Sequence, residues 1–151
     1  MKRFFAGKRG FTLLELLIVI AVISILISIA LPRFKGMSDE GNVAKAKGEL
    51  RTLQTAVESY YIHNSNAYPT ALSSLTSQTP LIVSAVPTDP FSSTSAAYGY
   101  TRGGTNNKFY IIYSVGPGGN GSAAISATDT VTETNGSSCI YVSNIGQDAQ
   151  P

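Results

Sequence analysis

The chain has 151 residues, with 11 Lys or Arg against nine Asp or Glu and one His, a formal charge of +2. Four of those cations, Lys2, Arg3, Lys8 and Arg9, and none of the acids lie in the first ten residues, so from Phe11 onward seven cations face nine acids and the formal charge is −2. The pI near 8.7 is therefore a property of the leader and gives no support to nucleic-acid binding, a lone Cys139 excludes an intrachain disulfide, and the length suits one small domain.

After the basic leader the chain stays apolar from Phe11 to Leu31 with Glu15 as its only charge. These 21 residues, at ~1.5 Å rise per residue, reach roughly 31 Å and match the hydrocarbon thickness of a bilayer. The leader cations predict an N-terminus held in the cytoplasm and a remainder sent across the membrane. An ordinary secretory signal has a shorter apolar region closed by a small-residue cleavage box. Here Ala21, Ser24, Ser28 and Ala30 are dispersed, and Pro32-Arg33-Phe34-Lys35 follows.

The run Lys8-Arg9-Gly10-Phe11-Thr12-Leu13-Leu14-Glu15-Leu16-Leu17 resembles the class III prepilin signal of type IV pilins and type II secretion pseudopilins. The resemblance implies that a membrane aspartyl peptidase cuts between Gly10 and Phe11 on the cytoplasmic side and methylates the new Phe11 amine. Pro32 matches the proline that such proteins carry late in the apolar segment. A carboxylate in hydrocarbon is costly and marks function by default. The nearest opposite charge after cleavage is the Phe11 amine, in the same chain or a neighbour. The resemblance implies that Glu15 and Phe11 act together in recruiting the next subunit; the bland reading has Glu15 snorkel to headgroups.

Beyond the bilayer, Ala46, Leu50, Leu53, Val57 and Tyr60 step by helical intervals and form an apolar stripe. The opposite face, Lys45, Lys47, Glu49, Arg51, Gln54, Glu58 and Ser59, is expected to meet water or neighbouring subunits. A helix from Phe11 to Tyr61 would run about 75 Å, so its first half needs lipid or other copies of itself as cover. Pro32 has no amide proton and crowds the Ser28 carbonyl, which predicts a kink. Gly36, Gly41 and Gly48 weaken the following turns, making residues 24–41 the expected soft point.

From Asn64 the composition turns to loop chemistry, with at most a short helical turn before Leu75 and a turn-rich connector at Val86-Pro87-Thr88-Asp89-Pro90-Phe91. Ala97–Thr101 and Phe109–Val115 read as strands joined by a hairpin loop over Arg102–Lys108, and Cys139–Val142 as a third. The predicted fold is α+β and pilin-like: a long N-terminal helix, transmembrane in its first half, packed by its second half on a small antiparallel sheet of three or four strands. The segments are a cleaved leader at 1–10, a membrane or filament-core helix half at 11–31, an amphipathic half at 32–62 and a globular head at 63–151.

Tyr68-Pro69-Thr70, Leu72 and Leu75, Asp89-Pro90 and Tyr110-Ile111-Ile112-Tyr113-Ser114-Val115-Gly116-Pro117 extend the resemblance to the G-type major pseudopilins. Those usually bind calcium in the loop after this last strand, through several aspartates. Residues 116–129 hold one carboxylate, whereas Ca²⁺ takes six to eight oxygens. Asn120 and Asp129 are weak candidate ligands, no cofactor is expected, and residues 116–129 read as a flexible, solvated Gly/Ser/Thr loop within a stretch, 116–138, of exposed loop chemistry. Asn120-Gly121-Ser122 and Asn135-Gly136-Ser137 are short sequons in that loop. His63, the lone histidine, has no catalytic companions and reads as a helix-ending residue; no enzyme is expected. Cys139 reads as a small buried hydrophobe.

The function these features imply is structural: a major pseudopilin that polymerises through its N-terminal helices into a periplasmic filament driving protein export. A surface type IV pilin used for adhesion, motility, DNA uptake or contact with electron acceptors is the alternative. A monomeric, membrane-anchored binding module is a third, from another class. Expected partners are copies of itself, the prepilin peptidase and methyltransferase, an inner-membrane assembly platform, minor pseudopilins and, before assembly, lipid, with no nucleic acid. The expected location is the bacterial inner membrane, single-pass with the N-terminus in, and then a periplasmic or extracellular filament.

Overall fold

The computed structural model describes residues 10–126, 128–134 and 139–145. The leader cations and the sequon at Asn135 fall outside the described residues. In chain order the elements are helix α1 (Leu13–His63), a 3-10 turn (Leu72–Thr76), β1 (Gly99–Gly103), a second 3-10 turn (Thr105–Asn107), β2 (Phe109–Ser114), β3 (Ser122–Ile125), β4 (Val131–Thr134) and β5 (Ile140–Ser143). The chain divides into two compact units, 1–38 and 39–151.

In the first unit the helix starts two residues later than the apolar run and does not stop at Pro32, which lies inside it. The proline removes the bond that the Ser28 carbonyl would otherwise accept, and the helical run continues nonetheless because a single missing bond is a small fraction of its ladder. Every large apolar side chain from Phe11 to Met37 is between 46% and 88% exposed within its own chain.

The second unit is built as a sandwich. β1, β2 and β5 form one antiparallel sheet with β2 in the centre, pairing Thr101 with Ile111 and Ile112 with Val142. Ala46, Leu50, Leu53, Ala56 and Val57 of α1 pack against Tyr98, Tyr110, Ile112, Ile140 and Val142, with Leu72 and Leu75 closing the cluster and Tyr60 at its margin. The predicted helical stripe is thus the face that the helix buries. Alternation along β2 and β5 sends Ile111 and Tyr141 to the other side, where they meet Cys139, Ala123, Ile125 and Val131.

That second cover corrects, at residues 122–125 and 131–134, the reading of this stretch as loop. β3 and β4 form a two-stranded antiparallel sheet of their own, with Ala123 opposite Glu133 and Ile125 opposite Val131. The physical reason lies in the strands beneath it. Residues 110–112 of β2 and all four residues of β5 are buried, so both sheet faces need a cover, and a short hairpin with one apolar side supplies the second.

Cys139 is buried beside this hairpin. Burial, with smaller contributions from the Glu133 and Asp89 charges, raises its thiol from 9.0 to about 11. The folded state favours the neutral thiol, so the stabilisation is complete below the unfolded value near 9 and is lost as pH rises towards 11. Alkylation by iodoacetamide at pH 8 is expected to be at least about 100-fold slower in the folded chain than in the unfolded chain, as followed by mass spectrometry.

Candidate functional site

The N-terminal site is built on the first turn of α1. Gly10, Phe11 and Thr12 precede the helix, which leaves the expected cleavage bond outside helical hydrogen bonding. The Thr12 carbonyl accepts the Leu16 amide at 3.2 Å, and its Oγ1 accepts the Glu15 amide at 3.1 Å. Thr12 is therefore the N-cap, and Glu15 stands three positions on, where its carboxylate meets the positive end of the helix dipole. Thr12-Leu13-Leu14-Glu15 is a capping pattern ahead of an apolar run. Sequence reasoning missed this, although the signal was legible. Glu15 is exposed.

Ser24 and Ser28, the polar interruptions of the apolar run, donate their hydroxyls to the Ile20 and Ile25 carbonyls at 2.7 Å each. The run therefore presents little unpaired polarity to lipid. Leu13–His63 contains a segment long and apolar enough to cross a membrane.

In the head, two of the helix carboxylates expected to face water or neighbouring subunits turn onto the sheet instead. Glu49 accepts the Tyr98 hydroxyl at 2.6 Å, and Glu58 accepts those of Tyr110 at 2.8 Å and Tyr68 at 3.3 Å. Asn144 completes the Glu58 network, donating to the Tyr68 hydroxyl at 3.2 Å and accepting the Tyr110 amide at 2.9 Å. The Tyr68 ring lies between those of Tyr61 and Tyr110, at 4.5 and 4.8 Å. Burial and then the Glu58 acceptor push the Tyr110 phenol well above the ordinary tyrosine range, and burial and then Glu49 do the same for Tyr98. Both phenols are fixed as donors. These contacts tether α1 to the head by more than apolar packing.

Asp89, which sequence placed only in a turn-rich connector, is 4% exposed. Its Oδ1 accepts the Ser114 hydroxyl at 2.8 Å and the Phe91 amide at 3.0 Å, and its Oδ2 accepts the Val115 amide at 2.8 Å. A buried carboxylate with three donors is satisfied, and it ties the connector to the end of β2. His63 ends α1, as expected, with Nδ1 donating to the Ser59 carbonyl at 2.7 Å.

Asp129 Oδ1 accepts the Thr105 amide at 3.1 Å. Asn120 lies ahead of β3, and among the described residues no group of three or more His, Cys, Asp or Glu side chains is placed to hold a metal. A hard cation seeking six to eight oxygens finds one carboxylate in this turn, already engaged, and the described donor set does not fit it.

Comparison with known proteins gives two successive family matches. The family model for the prokaryotic N-terminal methylation motif matches residues 6–31, and that for type II secretion system protein G matches residues 33–132. The chain is 38% identical over 64 residues to a type II secretion system core protein G of Klebsiella michiganensis, covering 42% of this chain and 44% of the relative. It is 33% identical over 95 residues to that of Klebsiella pneumoniae, covering 63% and 64%. It is 43% identical over 61 residues to the type IV major pilin protein PilA of Myxococcus xanthus, covering 40% and 28%. The matches span between 28% and 64% of these relatives' own lengths. No solved structure matches.

Proposed function

We infer the function from the premise that this chain belongs to the type II secretion system protein G family: it is the repeating subunit of a filament that acts in protein export. The family is one of structural pseudopilins, and the apolar helix makes this member a membrane-anchored subunit. The observation that carries the reading is the helix surface from Leu13 to Leu31, apolar all round apart from Glu15, Ser24 and Ser28 and at least 46% exposed at each large side chain. Exposed apolar surface of that extent needs a cover. Lipid provides it before assembly, and the same helix of other copies provides it afterwards.

In this reading the prepilin peptidase cleaves between Gly10 and Phe11, the Phe11 amine is methylated, and the leader cations keep that end in the cytoplasm. Glu15 offers its carboxylate to the Phe11 amine of an adjoining copy while the assembly platform extracts the subunit from the bilayer. Minor pseudopilins start the filament. Pro32 provides a bend point in the rod. A surface type IV pilin is the second reading, favoured by the likeness to the Myxococcus pilin. That likeness covers 61 residues, whereas the protein G family model extends across the head to residue 132, which favours export.

The test is deletion of the gene in its own host together with electron microscopy of fibres sheared from overexpressing cells. Retention of exported proteins in the periplasm, fibres containing this chain, and loss of those fibres without the prepilin peptidase are expected. Normal export combined with loss of surface motility would replace this reading by the pilin one.

A further inference from the structure

We propose that Asp129 itself staples the β3–β4 hairpin to the β1–β2 turn, so that the folding of this head does not depend on calcium. The inference stands on the head alone and is separate from the filament reading.

The β3–β4 turn is closed locally. The Ser126 amide donates to the Thr130 carbonyl at 2.9 Å and the Asp129 amide to the Ser126 carbonyl at 3.1 Å. The Ser126 hydroxyl meets those of Thr130 at 2.6 Å and Thr128 at 2.9 Å, so oxygens that a cation would recruit are bonded to one another. Asp129 is held at φ +59, a left-handed backbone that Asp and Asn tolerate better than most residues. From there its Oδ1 reaches across 24 positions of sequence to the Thr105 amide.

The receiving turn is shaped for that approach. Gly104 has φ +74, and a Cβ placed on it would lie 2.5 Å from Asp129 Oδ1 and 2.6 Å from Phe109 Cδ2. Only glycine leaves room for the carboxylate and adopts that backbone without strain. At Gly103 a Cβ would press to 3.2 Å from the Ile125 Cβ, so the hairpin lies directly on the end of β1. A protein–protein hydrogen bond at this junction does the work that a cation bridging loop oxygens would otherwise do.

The test is thermal unfolding of the full detergent-solubilised chain, read by near-ultraviolet circular dichroism. All eight tyrosines lie at or after Tyr60, so the signal reports on the head. Unfolding midpoints within about 1 °C in excess calcium and in excess EDTA are expected. Asp129→Ala should lower the midpoint by about 3–8 °C in both conditions. Asp129→Asn, which keeps an acceptor oxygen and tolerance of the left-handed backbone, should recover most of that loss. A rise of several degrees with calcium in the native chain would overturn the proposal, and so would Asp129→Ala melting with the native chain. If Asp129→Asn fell as far as Asp129→Ala, a requirement for charge at this position would overturn the staple as described.

Discussion

Glu15→Ala is expected to enter the membrane and to be cleaved after Gly10 at the native rate, yet to yield no filaments by immunoblot of sheared fractions or by electron microscopy. Insertion rests on the apolar character of the segment, which the substitution increases, and the proposed cleavage bond lies in residues that precede the helix. Assembly is different. In the proposed assembly a subunit leaving lipid for a bundle of like helices would carry a cationic Phe11 amine into an apolar surrounding, where an unpaired charge costs several kcal/mol. A carboxylate from the neighbouring copy would offset that cost.

The capping geometry supplies the control that this prediction needs. Because the Glu15 amide bonds Thr12 Oγ1, Glu15 stands in the first turn of α1, and its substitution could act by fraying the helix instead of removing a partner. Thr12→Ala removes the cap and leaves the charge; a cost of about 0.5–2 kcal/mol at the helix terminus should reduce filament yield without abolishing it. Glu15→Gln suits the capping position equally well but carries no charge, and is expected to resemble Ala. Native yield from Glu15→Gln would assign the residue to capping and remove it from subunit pairing.

What could be seen in the sequence follows from how local each signal is. The long apolar helix and the stripe Ala46, Leu50, Leu53 and Val57 are written as composition and periodicity over a few turns, and both appear in the structure within two residues of where they were read, while the leader lies outside the described residues. Pro32 was legible as a missing hydrogen bond, but the helical run continues through it. Strands β1, β2 and β5 were legible as aromatic and β-branched runs. The hairpin of β3 and β4 was not, since Ser122-Ala123-Ala124-Ile125 and Val131-Thr132-Glu133-Thr134 are short and hold only one large apolar side chain each. The clue lay elsewhere: Tyr110-Ile111-Ile112 and Cys139-Ile140-Tyr141-Val142 do not alternate, and an uninterrupted apolar strand needs cover on both faces.

The polar contacts were hidden for a related reason. Glu49 and Glu58 sit on the helix flank where charge is ordinarily solvated, and only the tertiary approach of Tyr98, Tyr110 and Tyr68 turns them into acceptors. Asp89 shows the same limit. An Asp-Pro pair reads as turn chemistry, and nothing local announces that donors from residues 114 and 115 will close around its carboxylate.

Asp89→Ala is accordingly expected to be the most destabilising single change in the head. The substitution strips acceptors from the Ser114 hydroxyl and from the Phe91 and Val115 amides. Each buried donor left unpaired costs about 1–3 kcal/mol; allowing for water entering the space, the total is about 3–5 kcal/mol, a large part of the stability of a small domain. Urea unfolding of the full chain in detergent, followed by tyrosine circular dichroism, should show the loss as a lower midpoint. Asp89→Asn keeps one acceptor oxygen but turns an amide group towards a donor, so about 2 kcal/mol is expected. The Ser114 hydroxyl also accepts the Gly116 amide at 3.1 Å, which makes it the link between Asp89 and the glycine-rich turn leading to β3. Asp89→Ala and Ser114→Ala should therefore be non-additive, with the double variant recovering at least about 1 kcal/mol relative to the sum of the single changes. Strict additivity, or a midpoint for Asp89→Ala within about 0.5 kcal/mol of native, would mean that the connector is held by its apolar contacts and that the carboxylate is replaceable.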